Sequence, residues 1–354
     1  MNQKPTFSSS VMEPAPTVLV TGFEPFGGNA SNISQRVVNR FRGSHQLVNP
    51  WTSQTFPVHV ETDVLTVDAE GAKRTAARVE NGQRWDAILH VGLCESCDVP
   101  RLERLAQDRL HMRIPDNEGR QISNGQLDGE GHRGCWLDLT LWQPDNFPVP
   151  FTLSTDAGAY LCNETYHATM KGMCKRPSID PVPAPVLFLH LPGETKLSVE
   201  QGVAMVESCL AYMLFPYPVA PQHVVAAALS SNGGEVLVGQ RSAGEADGLL
   251  WEFPGGKCER NESWSTALER ELREELSLDV RADHPLGSWY RQRGNEAFVI
   301  HLVHSSMGHP PSDMDLSVHE AVQWLNLNKV PELNWAGRDG EMMAFLGEVF
   351  KPTS

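Results

Sequence analysis

Residues 256–275 read GKCERNESWSTALERELREE, and this stretch decides the fold of the C-terminal half. If the segment is helical, Glu271, Glu274 and Glu275 stand at positions i, i+3 and i+4 and crowd one face. Three carboxylates at such short distances repel one another unless a hard divalent cation, which prefers oxygen ligands, neutralises them. A solvated helix face is the alternative, but the Gly-Gly loop before the helix favours a metal site.

The composition is that of a folded protein with two domains. The chain has 354 residues, of which 40% are hydrophobic and 21% are charged. Its net charge of −15, without a basic stripe, argues against a nucleic-acid polymer as partner. No apolar run approaches the roughly 20 residues that span a bilayer, so no membrane partner is expected. Seven irregularly spaced cysteines favour a reducing compartment, and we predict a cytoplasmic location.

Composition and periodicity divide the chain into four parts. Residues 1–16 are polar and Pro-rich, and we predict a disordered leader. Alternating strand-like and helix-like segments predict an α/β layered domain over residues 17–215. Three prolines in residues 216–221 predict a stiff linker. The second domain is predicted to occupy residues 222–354.

Within the second domain, a turn signal separates its first two strands. Asn232-Gly233 lies between strand-like residues 223–230 and 235–241. An Asn-Gly pair between two such segments predicts a β-hairpin.

Residues 251–257, WEFPGGK, together with the glutamate pattern after them, resemble the Nudix hydrolase family, most closely its MutT type, over about residues 222–350. The resemblance implies an α/β/α sandwich around a mixed sheet. It also implies hydrolysis of a nucleoside diphosphate linked to another group, with a nucleoside triphosphate as the expected substrate. Glu271, Glu274 and Glu275 would hold Mg²⁺ or Mn²⁺, which shields the pyrophosphate and polarises the attacking water.

Other residues around the helix take supporting roles by the same resemblance. Arg270 would form a salt bridge that orients a catalytic glutamate, and Gly256 would let the backbone approach the metal. Glu262 either caps the helix or supports the site. A further carboxylate ligand would come from a later strand, for which Glu320 is the candidate and Gln323 a poorer alternative.

The expected nucleotide pocket draws on three parts of the sequence, which are residues 239–241, Phe253 and residues 334–339. Arg241, Phe253 and Asp339 match regions that hold the base in MutT-like enzymes, and the substrate would be an oxidised purine nucleotide such as 8-oxo-dGTP. Asp339 could instead be a helix N-cap, and Phe253 could be a core residue. The family usually has glycine where this chain has Ser277, and a non-glycine residue in a left-handed turn costs about 1 kcal/mol. The position at which the helix ends is therefore an open question.

The N-terminal half contains a cysteine and a histidine in favourable settings. Cys162 is predicted to open a helix, where the positive end of the helix dipole favours the thiolate. His190 is predicted to end a buried strand and to emerge at a sheet edge, where a general base is well presented.

Residues 20–28 (VTGFEPFGG), 113–119 (RIPDNEG), Cys162-Asn163 and His190-Leu191-Pro192 resemble pyroglutamyl peptidase I over about residues 17–215. The resemblance implies a cysteine peptidase that needs no cofactor, with a Glu–Cys–His triad whose glutamate is Glu103. Cys162 would attack the carbonyl of an N-terminal pyroglutamate, and His190 would move the proton.

The same resemblance assigns the substrate pocket of this half. Phe23 and Phe26 would sandwich the lactam ring, Arg113 would lie near the oxyanion and Asn32 near the substrate backbone. Packing within their loop is the alternative for the two phenylalanines. Residues 93–97 and 121–148 depart from the family pattern, and we interpret Cys94 and Cys97 as incidental.

The sequence therefore predicts a bifunctional hydrolase with nucleoside triphosphate and pyroglutamyl peptide substrates. The alternative is that only one half is catalytic and the other is a nucleotide-sensing or structural module. By resemblance, the peptidase half would also form a homo-oligomer.

Overall fold

The computed structural model describes residues 14–175, 181–231, 234–244, 246–307, 314, 316 and 318–350. The predicted leader lies almost entirely outside the described residues, as does the Asn232-Gly233 pair. Among the residues that are described, no helix combines the length and the apolarity needed to cross a bilayer.

The N-terminal half contains nine strands and four α-helices among its described residues. The strands are β1 (Thr17–Phe23), β2 (Gly43–Val48), β3 (Thr55–Leu65), β4 (Ala87–Cys94), β5 (Arg101–Glu103), β6 (Leu105–Ala106), β7 (Arg133–Gly134), β8 (Thr152–Ser154) and β9 (Val186–Pro192). The helices are α1 (Ile33–Val38), α2 (Ala69–Glu80), α3 (Leu161–Cys174) and α4 (Val199–Leu214).

One seven-stranded sheet organises this half, in the order β2-β3-β1-β4-β9-β5-β8. Strands β3, β1, β4 and β9 run parallel. The nearly continuous apolar sequences of β4 and β9 agree with burial on both faces of the sheet. Helices α1 and α4 cover one face of the sheet, and α2 and α3 cover the other. The predicted α/β layered fold is therefore confirmed.

The C-terminal half contains seven strands and two helices among its described residues. The strands are β10 (Gln222–Leu229), β11 (Glu235–Arg241), β12 (Trp251–Glu252), β13 (Gly255–Lys257), β14 (Val280–Arg293), β15 (Glu296–Met307) and β16 (His319–Asn326). The helices are α5 (Trp264–Leu276) and α6 (Asp339–Val349).

These strands form two sheets between the two helices. The first has the order β13-β10-β15-β14 and the second has the order β12-β11-β16. Helix α5 packs into one hydrophobic cluster and α6 into another, which gives the expected sandwich. The predicted hairpin between β10 and β11 is wrong beyond its first pair. The two strands share the bridge Ser230–Val236 and then separate into different sheets.

Helix α5 ends where a glycine would normally be required. Ser277 has φ 54° and ψ 33°, a left-handed conformation. Its N–H donates to Arg273 O, and Leu278 N–H donates to Leu272 O, each at 3.1 Å. These bonds satisfy the last carbonyl groups of the helix, so the turn forms despite the strain of a side chain.

The segment that follows β7 joins the two halves. The Trp136 ring belongs to the hydrophobic cluster around α5 and lies 5.3 Å from the ring of Trp264. The Asp138 carboxylate accepts from Tyr290 N at 2.7 Å and from Arg338 Nη1 at 2.6 Å. Part of residues 121–148, the stretch expected to depart from the family pattern, therefore contacts the second domain.

Candidate active sites

The first candidate site is built at the N-terminus of α3. Cys162 is the second residue of that helix and is partly buried. Arg120 anchors the same turn, because it donates to both carboxylate oxygens of Glu164 at 3.0 and 2.6 Å. Gly92 on β4 faces the thiol, and a Cβ there would lie 3.0 Å from Cys162 Sγ and 2.8 Å from the Phe188 ring. The sulfur therefore occupies space that only a glycine leaves open.

His190 connects this thiol to a buried carboxylate. Its Nδ1 lies 2.7 Å from Glu103 Oε1, and Cys162 is the second hydrogen-bond partner of the imidazole. Burial alone would lower the pKa of His190, but the hydrogen bonds to Cys162 and Glu103 outweigh burial and raise it. A cationic imidazole beside the sulfur is the arrangement that favours a thiolate nucleophile.

The site opens into a cavity of about 620 Å³. Four residues that the sequence assigned to this site line it: Phe26, Arg113, Cys162 and His190. The remaining wall was not predicted and includes Leu93, Cys94, Arg101, Ile114 and Tyr160. Of these five, only Ile114 lies in a quoted family motif, residues 113–119, and the resemblance gave it no role of its own.

Two predicted pocket residues occupy other places. Phe23 is 3% exposed and belongs to the core, with its ring centroid 6.3 Å from that of Phe188. Asn32 is 1% exposed and caps α1, where its Oδ1 accepts from Ser34 N at 3.0 Å. Neither is among the residues that line the cavity.

Cys94 and Cys97 are not incidental, which corrects the interpretation from sequence. They form a disulfide across a Cα–Cα distance of 5.4 Å, and Cys94 lines the cavity that contains Cys162. The two residues flank a tight turn after β4, closed by a bond from Cys97 N to Cys94 O at 3.3 Å. This turn brings the two Cα atoms within the range that a disulfide bridges.

The second candidate site lies where α5 meets β13. A Cβ on Gly256 would lie 2.3 Å from Cδ of Glu271, so only glycine allows the carboxylate to reach this position. The Gly255 N–H is hydrogen-bonded to the carboxylate of Glu275. Glu274, in the last turn of α5, is mostly exposed, and its Oε2 lies 3.2 Å from Arg270 Nη1.

Arg270 organises the carboxylates on this face of α5. Its guanidinium donates to both oxygens of Glu262 at 2.9 Å and to Lys257 O at 3.1 Å. It also lies 2.9 Å from Glu271 Oε1. Glu262 therefore supports the site through Arg270, while Ser263 caps the helix.

The donor set fits a hard divalent cation. Burial first, and then the charges of Glu271 and Glu252, raise the pKa of Glu275 to about 8. Crowded carboxylate oxygens beside a glycine backbone are the ligands that Mg²⁺ and Mn²⁺ prefer. Glu271, Glu275 and the exposed Glu274 are the residues that would hold such an ion.

Glu320 has a different contact in the structure. Its Oε1 accepts from Ala243 N at 3.1 Å. Among the described residues, Glu320 makes no hydrogen bond or ion pair with a residue of α5, and Gln323 is exposed. The sequence did not single out Glu252, which is the carboxylate that the structure brings near Glu275.

The predicted base pocket contains an ion pair and a buried acid. Arg241 Nη1 lies 2.5 Å from Glu252 Oε2. Asp339 accepts from Phe253 N at 2.8 Å and is 6% exposed, and burial and Glu252 raise its pKa to about 7. The cap of α6 is Arg338 and makes no side-chain cap bond, so Asp339 is not the helix N-cap.

The Phe253 ring lies in the core and stacks on a more accessible ring. It is 3% exposed, and Trp335 lies 6.2 Å from it at an interplanar angle of 17°. Trp335 is only partly buried. It is the better placed of the two for contact with a nucleobase, and it belongs to residues 334–339, which the sequence resemblance assigns to the base pocket.

A third cluster of metal-ligating residues is already neutralised. Asp108, Asp128 and His167 offer ligand atoms within 4.8 Å of one another. Lys171 Nζ lies 2.7 Å from Asp128, and Arg133 Nη2 lies 3.1 Å from it. Two cationic side chains therefore occupy the space that a metal ion would need.

Comparison with known proteins identifies both halves. A profile for pyroglutamyl peptidase matches residues 16–207, and a profile for the NUDIX domain matches residues 220–346. The pyrrolidone-carboxylate peptidase of Pyrococcus furiosus is 30% identical over 184 residues, which cover 49% of this chain and 80% of that protein. The same enzyme from Clavibacter michiganensis is 30% identical over 193 residues, covering 52% and 82%.

The second half has a relative of its own. The CTP pyrophosphohydrolase of Escherichia coli is 35% identical over 100 residues, which cover 28% of this chain and 73% of that protein. Among solved structures, a pyrrolidone carboxyl peptidase mutant from Pyrococcus furiosus is similar at a TM-score of 0.49 and 24% identity, covering 56% of this chain and 99% of that one. The chain therefore belongs to the pyroglutamyl peptidase family through its N-terminal half and to the NUDIX family through its C-terminal half.

Proposed function

We propose that this chain is a bifunctional hydrolase whose N-terminal half removes pyroglutamate from the N-terminus of peptides. The observation that carries this proposal is the alignment of Glu103, His190 and Cys162 at one end of the cavity. A nucleophile, a base hydrogen-bonded to it and a third group that orients the base are the parts that acyl transfer requires.

The chemistry follows from these positions. Cys162 Sγ attacks the pyroglutamyl carbonyl while His190 holds the thiol proton, and His190 then gives that proton to the leaving amine. Water hydrolyses the resulting thioester with His190 as base. Glu103 holds the imidazole through Nδ1, so that Nε2 faces the sulfur. We propose Phe26 and Arg113 as pocket residues, and we retain Phe23 and Asn32 as supports of the loop and helix next to the pocket.

The test is hydrolysis of a pyroglutamyl chromogenic amide by wild type, Cys162→Ala and Cys174→Ala. Cys174 ends the same helix, and burial raises the pKa of its thiol to about 12, which makes it a matched unreactive control. We expect activity to vanish in Cys162→Ala and to persist in Cys174→Ala. Turnover that survives in Cys162→Ala would exclude this nucleophile.

We propose that the C-terminal half hydrolyses a nucleoside triphosphate with Mg²⁺ or Mn²⁺. When bound, the ion would shield the pyrophosphate and polarise the attacking water. Glu271, Glu274 and Glu275 would hold it, Gly256 admits the Glu271 carboxylate, and Arg270 orients the glutamates. Glu320 remains a proposed ligand, although its observed bond is to Ala243 N.

The metal-site proposal is tested by Glu275→Gln with Glu269→Gln as its control. Glu269 lies on the same helix and accepts from Ala282 N at 3.2 Å, a bond that glutamine keeps. We expect pyrophosphate release to collapse only in Glu275→Gln. Equal activity of both variants would refute the metal role, and the absence of turnover in wild type would favour a nucleotide-sensing module.

Two nucleotides are specific candidates for the substrate of the C-terminal half, and they differ in their base. We propose 8-oxo-dGTP as substrate, with Arg241, Phe253 and Asp339 at the base pocket. Asp339, whose pKa is raised to about 7, can offer a proton as well as an acceptor oxygen. The similarity to a CTP pyrophosphohydrolase supports a pyrimidine nucleotide as the second candidate. Hydrolysis rates for 8-oxo-dGTP, dGTP, CTP and dCTP distinguish the two candidates. A rate for 8-oxo-dGTP that is no higher than the other rates would refute 8-oxo-dGTP as the preferred substrate.

Three further properties are part of the proposal. The protein is cytoplasmic, its peptidase half forms a homo-oligomer, and its domains span residues 17–215 and 222–354 with a linker between them. Size-exclusion chromatography with light scattering tests the oligomer, and a monomeric mass would refute it.

A further inference from the structure

The strand that carries the triad glutamate leads directly into the second domain. Arg104 follows Glu103, and its guanidinium carbon lies 4.5 Å from the ring centroid of Phe345 and 5.9 Å from that of Trp289. Both rings belong to the C-terminal half. Within the described part of the chain, this guanidinium makes no hydrogen bond or ion pair, so the two ring faces are its main contacts.

The backbone at this point is fixed from several sides. Arg104 N donates to Ser154 O at 2.7 Å, and Arg104 O accepts from Cys135 N at 3.2 Å. Leu105 is 1% exposed and belongs to the hydrophobic cluster that contains Phe345. The two residues after Glu103 are therefore packed by the second domain and not by the first alone.

The Glu103 side chain is fully buried but has few hydrogen bonds. Its Oε1 meets His190, but its buried Oε2 makes no hydrogen bond in the described structure. The Tyr166 hydroxyl donates to the backbone oxygen of Glu103 at 3.1 Å. The end of the strand, fixed by its backbone and by Arg104, thus determines where the carboxylate lies.

We propose that Arg104 is a positioning residue of the peptidase, and that Phe345 and Trp289 of the NUDIX domain hold the strand end that places Glu103 against His190. The inference rests on the peptidase activity proposed above. It gives the fusion a mechanical reason, because the second domain completes the support behind the triad of the first.

Four full-length variants test this positioning. Arg104→Met removes the cation and keeps the length, Arg104→Lys keeps a cation over the rings, and Phe345→Leu removes the ring. Phe350→Leu is the matched control, because Phe350 stacks on His132 across the same interface without contacting Arg104. Thermal unfolding establishes the folded fraction at the assay temperature, so that kcat is expressed per folded molecule.

We expect Arg104→Met and Phe345→Leu to lower kcat for a pyroglutamyl amide by about 3- to 30-fold with KM unchanged, the range of coupling through packed networks. Arg104→Lys should recover most of the loss, and Phe350→Leu should match wild type. The rate of Cys162 alkylation by iodoacetamide should fall in the same two variants, because a displaced Glu103 weakens the imidazole that supports the thiolate.

Two results overturn the inference while the peptidase assignment stands. The first is that folded Arg104→Met and Phe345→Leu have the same kcat and the same alkylation rate as wild type. The other is a rise in KM at constant kcat, which would place the effect in the substrate pocket. An inactive wild type that also resists alkylation would instead remove the proposed function itself.

Discussion

Replacing Gly256 by alanine is predicted to abolish most nucleotide hydrolysis without unfolding the domain. The new Cβ would lie 2.3 Å from Cδ of Glu271 and 2.4 and 2.5 Å from its two oxygens. Non-bonded carbon atoms prefer about 3.5–4.0 Å, so the carboxylate has to withdraw by more than about 1 Å. It cannot do so freely, because Arg270 holds its Oε1 at 2.9 Å.

The expected magnitude follows from this displacement. A misplacement of about 1 Å in a catalytic group costs about 100-fold in rate, and we expect a loss of that size in kcat. The magnesium concentration that gives half-maximal rate should rise in the same variant, because a displaced ligand weakens metal binding. The assay is pyrophosphate release from a nucleoside triphosphate at several magnesium concentrations.

A second glycine provides the control. Gly244 has no heavy atom within 4 Å of an added Cβ, and its φ is not positive, so Gly244→Ala should behave as wild type. A folded Gly256→Ala variant that hydrolyses the nucleotide within threefold of wild type, at the same magnesium dependence, would contradict this expectation. Glu271 would then have no metal role at its observed position.

Four further predictions use other residues. Glu103→Gln removes the charge that stabilises the imidazolium of His190, so kcat of the peptidase should fall by about 100-fold or more. An unchanged kcat would contradict this role of Glu103. The double variant Cys94→Ser, Cys97→Ser removes the disulfide from the turn that lines the cavity. KM for a pyroglutamyl amide should therefore change more than kcat. A larger change in kcat than in KM would show that this turn has no role in substrate binding. Ser277→Gly relieves a left-handed side chain and should stabilise the domain by about 1 kcal/mol in urea unfolding, and a destabilised variant would contradict this. Burial raises the pKa of Asp339 from 3.8 to about 7, so the folded state binds its proton more tightly and loses stability as pH rises through this range. Asp339→Asn should therefore raise Tm more at pH 8 than at pH 5, and equal shifts at both would be the contrary outcome.

Two local features of the candidate sites could be predicted from sequence because they depend on helix geometry alone. The glutamates of α5 share a face by helical spacing alone, and Cys162 opens a helix that its flanking residues already indicate. The places of Phe23 and Asn32 could not be predicted in the same way. Their roles depend on whether a side chain faces the core or the cavity, which is set by the path of a loop in three dimensions.

The same limit applies to the turn signal between β10 and β11. An Asn-Gly pair favours two adjacent antiparallel strands, and the structure keeps the first bridge, Ser230–Val236. After this bridge, each strand gains more by pairing elsewhere. β10 pairs in parallel with β15 along eight positions, and β11 pairs with β16 along seven. Long-range pairing therefore overrides the local turn preference, which no window of sequence can show.

The interface between the two halves contains part of residues 121–148, the stretch in which we expect a departure from the family pattern. Gly134 touches the second domain so closely that a Cβ would lie 1.9 Å from Leu286 O, and Asp138 is fully buried against Tyr290 and Arg338. A peptidase that functions without a fused partner would expose these groups and would gain nothing from them. Removing one member of such a buried ion pair leaves an uncompensated charge, which costs about 3–5 kcal/mol. Arg338→Met should therefore destabilise both halves together, and two separate unfolding transitions in wild type would show that this contact does not join them.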